Sequence, residues 1–307
     1  MNPAIEREAT AGRYLHLVVS DSGLGGLAVC AGLERNLRAS GRYRRVRLSY
    51  FNAAPDPGQG YNDLPDTPAR AALLDRTLAA MEGLRPDRIV LACNTLSVLY
   101  EHTAHFQHNA ARVTGIIEAG VRLFAAALAA DPAGVLLLLG TRTTIDSGVH
   151  RRRLVDGGIT AERIGSVSCH GLARAIERDP EAPAVSQLIA QCTAALPALK
   201  LEGERLYAGL ACTHYGFVAS RIAQALERAS GLPVHLLDPN EALVETLAPV
   251  SAIPAVRENR EPVVSVQVLS KVPLSEQGRK AIAGRLRAVS EVTASALLSY
   301  TCDSELF

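Results

Sequence analysis

The sequence predicts an α/β protein built from two pseudo-symmetric doubly wound domains, with mostly parallel sheets and the active site in the cleft between them. Three observations predict it. Apolar runs of six to eight residues alternate with amphipathic stretches along nearly the whole chain, and such alternation builds parallel sheets covered by helices. LACNTLSV (91–98) and LACTHYGF (210–217) repeat one frame, a cysteine after an apolar run and before a small polar residue. The spacing repeats too. Asp21 in SDSGLGG (20–26) precedes Cys93 by 72 residues, and Thr141 in GTRTTIDSG (140–148) precedes Cys212 by 71. The expected division is residues 13–113 with 217–307 as a discontinuous first domain and 114–216 as the second.

Taken in order, YLHLVVS (14–20) is a buried strand and LAVCAGLERNLRAS (27–40) a helix with apolar residues at three- and four-residue intervals. VRLSYFN (46–52) is the next strand. NAAPDPGQGYNDLPDTP (52–68) is too rich in Pro, Gly and Asp to be anything but a loop. A helix over 69–84 leads to strand DRIVLAC (87–93), and VTGIIE (113–118) is a short strand before the helix GVRLFAAALAAD. AGVLLLLG (133–140) is a strand, RRLVDGG a helix ending at glycine, ERIGSVSC (162–169) a strand and 182–199 a helix. RLYAGLAC (205–212) and PVHLLD (233–238) are strands on either side of the helix FVASRIAQALERASG, and NEALVETLAPV is again helical. VVSVQVLS (263–270) is a late strand, followed by one final helix through EQGRKAIAGRLRAVSEVTASALL.

Composition narrows the function classes. The 307 residues are 48% hydrophobic and 21% charged with a net charge of +1, which is a globular composition. No basic excess invites nucleic acid or an acidic membrane surface, and 4% aromatic residues without Trp make poor base-stacking platforms. The longest apolar runs, such as VLLLLG (135–140), fall well short of the roughly 20 residues that span a bilayer. The N-terminal MNPAIEREATAGRY lacks the apolar core of a secretory signal and reads as a loose leader. The expected location is the cytoplasm. The six cysteines form no CxxC pair, so neither a zinc ribbon nor a redox motif is indicated, and Cys30, Cys192 and Cys302 read as small buried hydrophobes. His102, His105 and His108 fit one helical face better as solvated residues than as a metal site, so no metal is expected.

In parallel α/β sheets ligands sit beyond the carboxyl ends of the strands, where both cysteine motifs fall. Inverting a carbon acid requires a proton to leave one face and return on the other, and two acid/base groups on opposite sides do this most simply. Cysteine suits the task, having a free pKa near 8.5 that a cation or helix N-terminus lowers. Each cysteine ends a strand and opens a helix on this reading.

DSGLGGL (21–27), CNT (93–95), GTRTT (140–144) and CTHY (212–215) together resemble the motifs of the glutamate racemases, within the cofactor-independent aspartate/glutamate racemase superfamily. The matches run in family order over roughly residues 15–240. The resemblance implies no cofactor, a small carboxylate or amino-acid substrate and a homodimer. It implies that Cys93 and Cys212 are the acid/base thiols, with Asp21 and His214 as their polar helpers and Glu177 as a helper glutamate. It sets Ser22, Asn94, Thr95, Thr141, Thr144 and Thr213 against substrate. Several have a plainer reading: Cys93 and Cys212 as buried strand ends, Asp21, Thr141 and Thr144 as helix caps, His214 as a structural histidine, and Glu177 as a solvated helix end. Gly25 and Gly26 read as tight-turn geometry, since GLGG lacks the dinucleotide spacing.

Departures cluster around the substrate. Tyr61 in DPGQGYNDLPD (56–66) takes the place of the tyrosine in the family's Pro-Tyr-Gly turn, with different neighbours. Leu96 replaces a small residue, Gly216 a proline, and His150 stands near a common aromatic. Arg142 adds a cation to the threonine loop. Three readings follow: a racemase of glutamate or a related amino acid; a cysteine-dependent hydrolase, desulfurase or isomerase acting on a glutamate-derived ring such as a hydantoin or thiohydantoin propionate; and a non-catalytic binding protein.

Overall fold

The computed structural model describes residues 14–199, 201–250 and 262–307; the leader read over residues 1–13 lies outside them. Six parallel strands form one sheet: β1 (Tyr14–Asp21), β2 (Arg45–Asn52), β3 (Arg88–Leu91), β4 (Val113–Gly115), and the late β9 (Val263–Ser270) and β10 (Thr301–Cys302), in the order β10-β9-β2-β1-β3-β4. Four parallel strands form the other: β5 (Gly134–Gly140), β6 (Ile164–Ser168), β7 (Arg205–Ala211) and β8 (Val234–Leu237), in the order β6-β5-β7-β8. The segment β2-β1-β3-β4 has the same topology as β6-β5-β7-β8, so the repeated spacing of the sequence is a repeated strand order.

Both faces of each sheet are buried, which is why the strands read as continuous apolar runs. On the six-stranded sheet, Leu17 and Val19 pack with helices α1 (Leu27–Ser40), α11 (Pro239–Leu247), α12 (Glu276–Leu286) and α13 (Glu291–Leu298). Val18 points to the opposite face, where α2 (Thr67–Gly83) and α3 (Asn94–Tyr100) supply Leu74, Leu78 and Leu96. On the four-stranded sheet, Leu137 and Leu139 pack with α8 (Leu172–Arg178), α9 (Pro183–Thr193) and α10 (Ala219–Ser230). Leu136 and Leu138 face α5 (Ile117–Ala130) and α7 (Val149–Asp156). The alternation is the two-residue period of a pleated strand.

Four expectations need correction. Strand β8, expected with the first domain, pairs with β7 through Leu206↔Val234 to Gly209↔Leu237, and α10 buries Ile222 and Leu226 in the same core; the chain returns to the six-stranded sheet only at α11. The final helix is two helices, because Ser290 caps α13 with its hydroxyl accepting from Thr293 N at 3.0 Å. The helix expected over 182–199 stops at Thr193, and a 3-10 turn follows over Leu196–Leu199, where Pro197 cannot supply the N–H a continuing helix needs. The strand expected over 113–118 ends at Gly115, since α5 begins at Ile117. Of the three histidines, His102 precedes the helix that runs from Ala104 to Asn109, and His105 lies 3.7 Å from Glu82.

Candidate active site

The register brings the motifs together. β1 pairs with β3 through Ser20↔Leu91, so Asp21 and Cys93 emerge from adjacent strands. β5 pairs with β7 through Gly140↔Ala211, which sets Thr141 beside Cys212. In both sheets the strand order reverses at this point, and the crevice there is where open α/β sheets bind ligands. One cavity of about 360 Å³ is lined by Asp21, Ser22, Cys93, Asn94, Thr95, Thr141, Arg142, Glu177, Cys212, Thr213 and His214. Residues from both sheets therefore share one chamber, and both thiols line it.

The two thiols have different surroundings. Cys93 caps α3 and lies 3.3 Å from Ser22 Oγ. Burial, and then the nearby Asp21 carboxylate, push its thiol up to about 12, against smaller opposing help from the Ser22 hydroxyl and the Leu96 N–H. Cys212 Sγ lies 3.8 Å from His214 Nδ1, and His214 Nε2 lies 2.9 Å from Glu177 Oε2. Burial opposes charge on His214, but the contacts with Cys212 and Glu177 outweigh it and hold the imidazole well above the ordinary histidine value. As an imidazolium it donates from both nitrogens, one toward sulfur and one to carboxylate. An anion on Cys212 thus has a cationic partner, whereas an anion on Cys93 faces a carboxylate. Cys212 opens a 3-10 helix over Thr213–Val218, and α10 follows from Ala219.

Asp21 is fully buried, with Gly23 N donating to Oδ1 at 3.0 Å and Thr213 Oγ1 to Oδ2 at 2.8 Å. Burial raises its pKa despite those donors and the nearby His214. Glu177 is no solvated helix end: its Oε2 also accepts Leu24 N at 2.9 Å, tying α8 to the Asp-Ser-Gly loop of the other sheet. Gly23 and Gly25 make that approach possible. A Cβ on Gly23 would lie 2.4 Å from Glu177 Oε2, and one on Gly25 2.3 Å from Thr213 Oγ1. Neither has positive φ, so close packing rather than turn geometry calls for glycine here.

The substrate positions divide. Asn94 is buried and lines the cavity, and both polar atoms of its side chain lack a partner among the described residues. Thr95 Oγ1 meets Thr141 Oγ1 at 2.8 Å and Thr144 Oγ1 at 3.3 Å, joining the two sheets. Thr141 also caps the helix α6 (Arg142–Asp146), so the capping and site readings coexist. Arg142 is exposed at the cavity wall. Tyr61 also lines the cavity, with its ring packed in the core and its OH in contact with Thr77 Oγ1 at 3.2 Å. Sequence reasoning missed Asn62, whose Oδ1 accepts Thr143 N at 3.0 Å, and Arg174, which pairs with Asp63 at 2.6 Å. It also missed the wall formed by Val272–Ser275 and Gly278, where no motif marks the site. A Cβ on Gly278 would lie 2.5 Å from the Glu177 carbonyl, so this wall packs closely against α8. Among the described residues, no group of three or more His, Cys, Asp or Glu side chains could hold a metal ion, and no helix is long and apolar enough to cross a membrane.

Comparison with known proteins bears on the family and the fold. The family described as Asp/Glu/Hydantoin racemase matches residues 22–247. The glutamate racemase of Granulibacter bethesdensis is 30% identical over 242 residues, which cover 77% of this chain and 78% of that protein. That of Brucella canis is 25% identical over 246 residues, covering 80% and 82%. Among solved structures, a glutamate racemase isoform from Bacillus anthracis aligns with a TM-score of 0.62 at 23% identity, over 90% of this chain and 94% of that one. The Thermus thermophilus glutamate racemase in complex with beta-chloro-D-alanine aligns at 0.61 and 24%, over 92% and 96%. At these identities the structures speak for the fold.

Proposed function

Because the chain belongs to the Asp/Glu/Hydantoin racemase family, we propose that it is a two-cysteine racemase of glutamate or a closely related amino acid, working by deprotonation and reprotonation at the α-carbon. The observation that carries this reading is the pairing of two thiols in one cavity with opposite electrostatic partners. Cys212, beside the His214 imidazolium, starts as the base. Cys93, kept protonated by burial and Asp21, starts as the acid on the other face. Removal of the α-proton by Cys212 and delivery of a proton by Cys93 inverts the centre, and the reverse exchange resets the enzyme. Glu177 holds His214 in orientation, and Asp21 holds Thr213 and the loop that carries Ser22.

Asn94, with its free amide, and the hydroxyls of Ser22, Thr95 and Thr141 supply donors and acceptors for the substrate's amino and carboxylate groups, and Arg142 gives a second carboxylate a cation. Both proton transfers are assigned to side chains of the chain itself. A reaction that needs two reduced thiols suits the cytoplasm, where we place it.

The test is proton NMR of the reduced, folded protein with L- and D-glutamate in heavy water. Loss of the α-proton signal from both enantiomers together with loss of optical activity is expected, and Cys93→Ser or Cys212→Ser should each abolish racemisation. No exchange with either enantiomer would sink the glutamate assignment.

A further inference from the structure

Two thiols can serve opposite faces of one carbon only if the sheets that carry them are held at a set separation, since misplacement by about 1 Å costs roughly a hundredfold in rate. Some ties between the sheets lie deep: Thr95 with Thr141, Thr213 with Asp21, and Leu24 N with Glu177. Others lie at the rim: Arg153 pairs with Glu101, Gln277 with Asp179 and Arg285 with Glu181, and the loop over residues 53–66 adds its own. Its stems are anchored on their own side. Ala53 N donates to the Asp21 carbonyl at 2.8 Å, and Arg70 donates to the carbonyls of Tyr61 and Leu64 at 3.0 and 2.7 Å. Between the stems, Asp56, Pro57, Gly58 and Gln59 are exposed and wall the cavity, with Gly58 in the left-handed region at φ +79°. Asp63 Oδ2 accepts both Gly60 N at 2.8 Å and Arg174 Nη2 at 2.6 Å.

We propose that Arg174 is a positioning residue: paired with Asp63, it latches the 53–66 loop onto helix α8 and closes the cavity around substrate, while the deep ties keep the two thiols at their separation. The proposal rests on the two-thiol reading. Helix α8 suits the role because Glu177 stands three residues beyond Arg174, on the neighbouring turn. One helix thus carries both the carboxylate that orders His214 and the cation that holds the roof. The strength is also suited. The side chains of Arg174 and Asp63 are 48% and 38% exposed, and such pairs are worth roughly a two- to five-fold change in an equilibrium. A tie of that size can open at each turnover, whereas the buried ties persist.

The experiment compares wild type with Arg174→Gln and Arg174→Lys by amide hydrogen exchange and by steady-state racemisation of glutamate. The Gln variant should raise exchange across residues 56–64 about two- to five-fold while leaving α2 unchanged. It should raise KM by a similar factor with kcat within about two-fold, and Lys should restore most of both effects. Unchanged exchange over 56–64 in the Gln variant would overturn the latch, as would a rise spread over all of α8 that Lys does not correct, the mark of a merely structural arginine. The exchange arm needs no turnover. Absence of glutamate racemisation therefore counts against the proposed reaction and not against the latch.

Discussion

Gly25→Ala probes how the two sheets are fitted together at the site. The added methyl would lie 2.3 Å from Thr213 Oγ1, 2.5 Å from His214 Nδ1 and 2.8 Å from the His214 backbone nitrogen. Ordinary van der Waals contact for a Cβ begins at 3.4 Å, so the first two atoms must retreat by about 1 Å, and the third is main chain. Overpacking of this kind costs about 1–3 kcal/mol. Displacing Thr213 also removes the donor that holds Asp21 Oδ2 at 2.8 Å, and a buried acceptor left short costs about 1–3 kcal/mol more. The stiffer unfolded chain returns only about 0.4–1 kcal/mol. A net loss of about 2–5 kcal/mol is expected, which for a chain of this size lowers Tm by about 3–8 °C. Displacement of His214 from Cys212 should cut racemisation by roughly a hundredfold. The control is Gly60→Ala on the cavity wall, where the new methyl meets only Asp63 Oδ2 at 3.8 Å and stability should stay within about 0.5 kcal/mol. Differential scanning calorimetry and polarimetry read both variants. A Gly25→Ala protein with wild-type Tm and rate would refute the packing argument.

The electrostatic account makes two further predictions. His214 has a raised pKa, so its charged form and the stability tied to it are present below the ordinary histidine value and are lost as pH rises through the raised one. Glu177→Gln removes a charged partner, and the alkaline limb of the pH–rate profile should move to lower pH, with roughly a tenfold lower rate on that limb; an unshifted limb would show that Glu177 does not sustain the imidazolium. His150 is buried with Nε2 unpartnered, and burial, aided by Arg153, lowers its pKa from 6.5 to about 4. The unfolded chain binds that proton first as pH falls, so stability is full above 6.5 and should decline by about 3 kcal/mol by pH 4. His150→Leu should flatten this decline in urea titrations, and an unaltered acid slope would disprove the assignment.

Much of this architecture was legible in the sequence because it is written in local patterns. The helix over 27–40 and the strand over 263–270 carry their boundaries in residue periodicity and caps, and the duplicated cysteine frames stood out because both sheets share one strand order. The site was legible where motifs end strands: Asp21, Cys93, Thr141 and Cys212 needed only the rule that ligands meet carboxyl ends. Other features depended on partners far away in the chain. Whether Val234–Leu237 joined one sheet or the other depended on β7, and the partner of the Tyr61 hydroxyl, Thr77, came from a helix after the loop. The sequence could offer Glu177 as a helper, but its contacts with Leu24 N and His214 reach across 153 and 37 residues of chain. What the sequence determined by itself was the alternation of elements and the repeated frame around Cys93 and Cys212, since periodicity and motif are properties of neighbours. The tertiary structure alone decided that one thiol sits beside a carboxylate and the other beside a cation, because burial and charge pairing exist only once distant segments close around the same cavity.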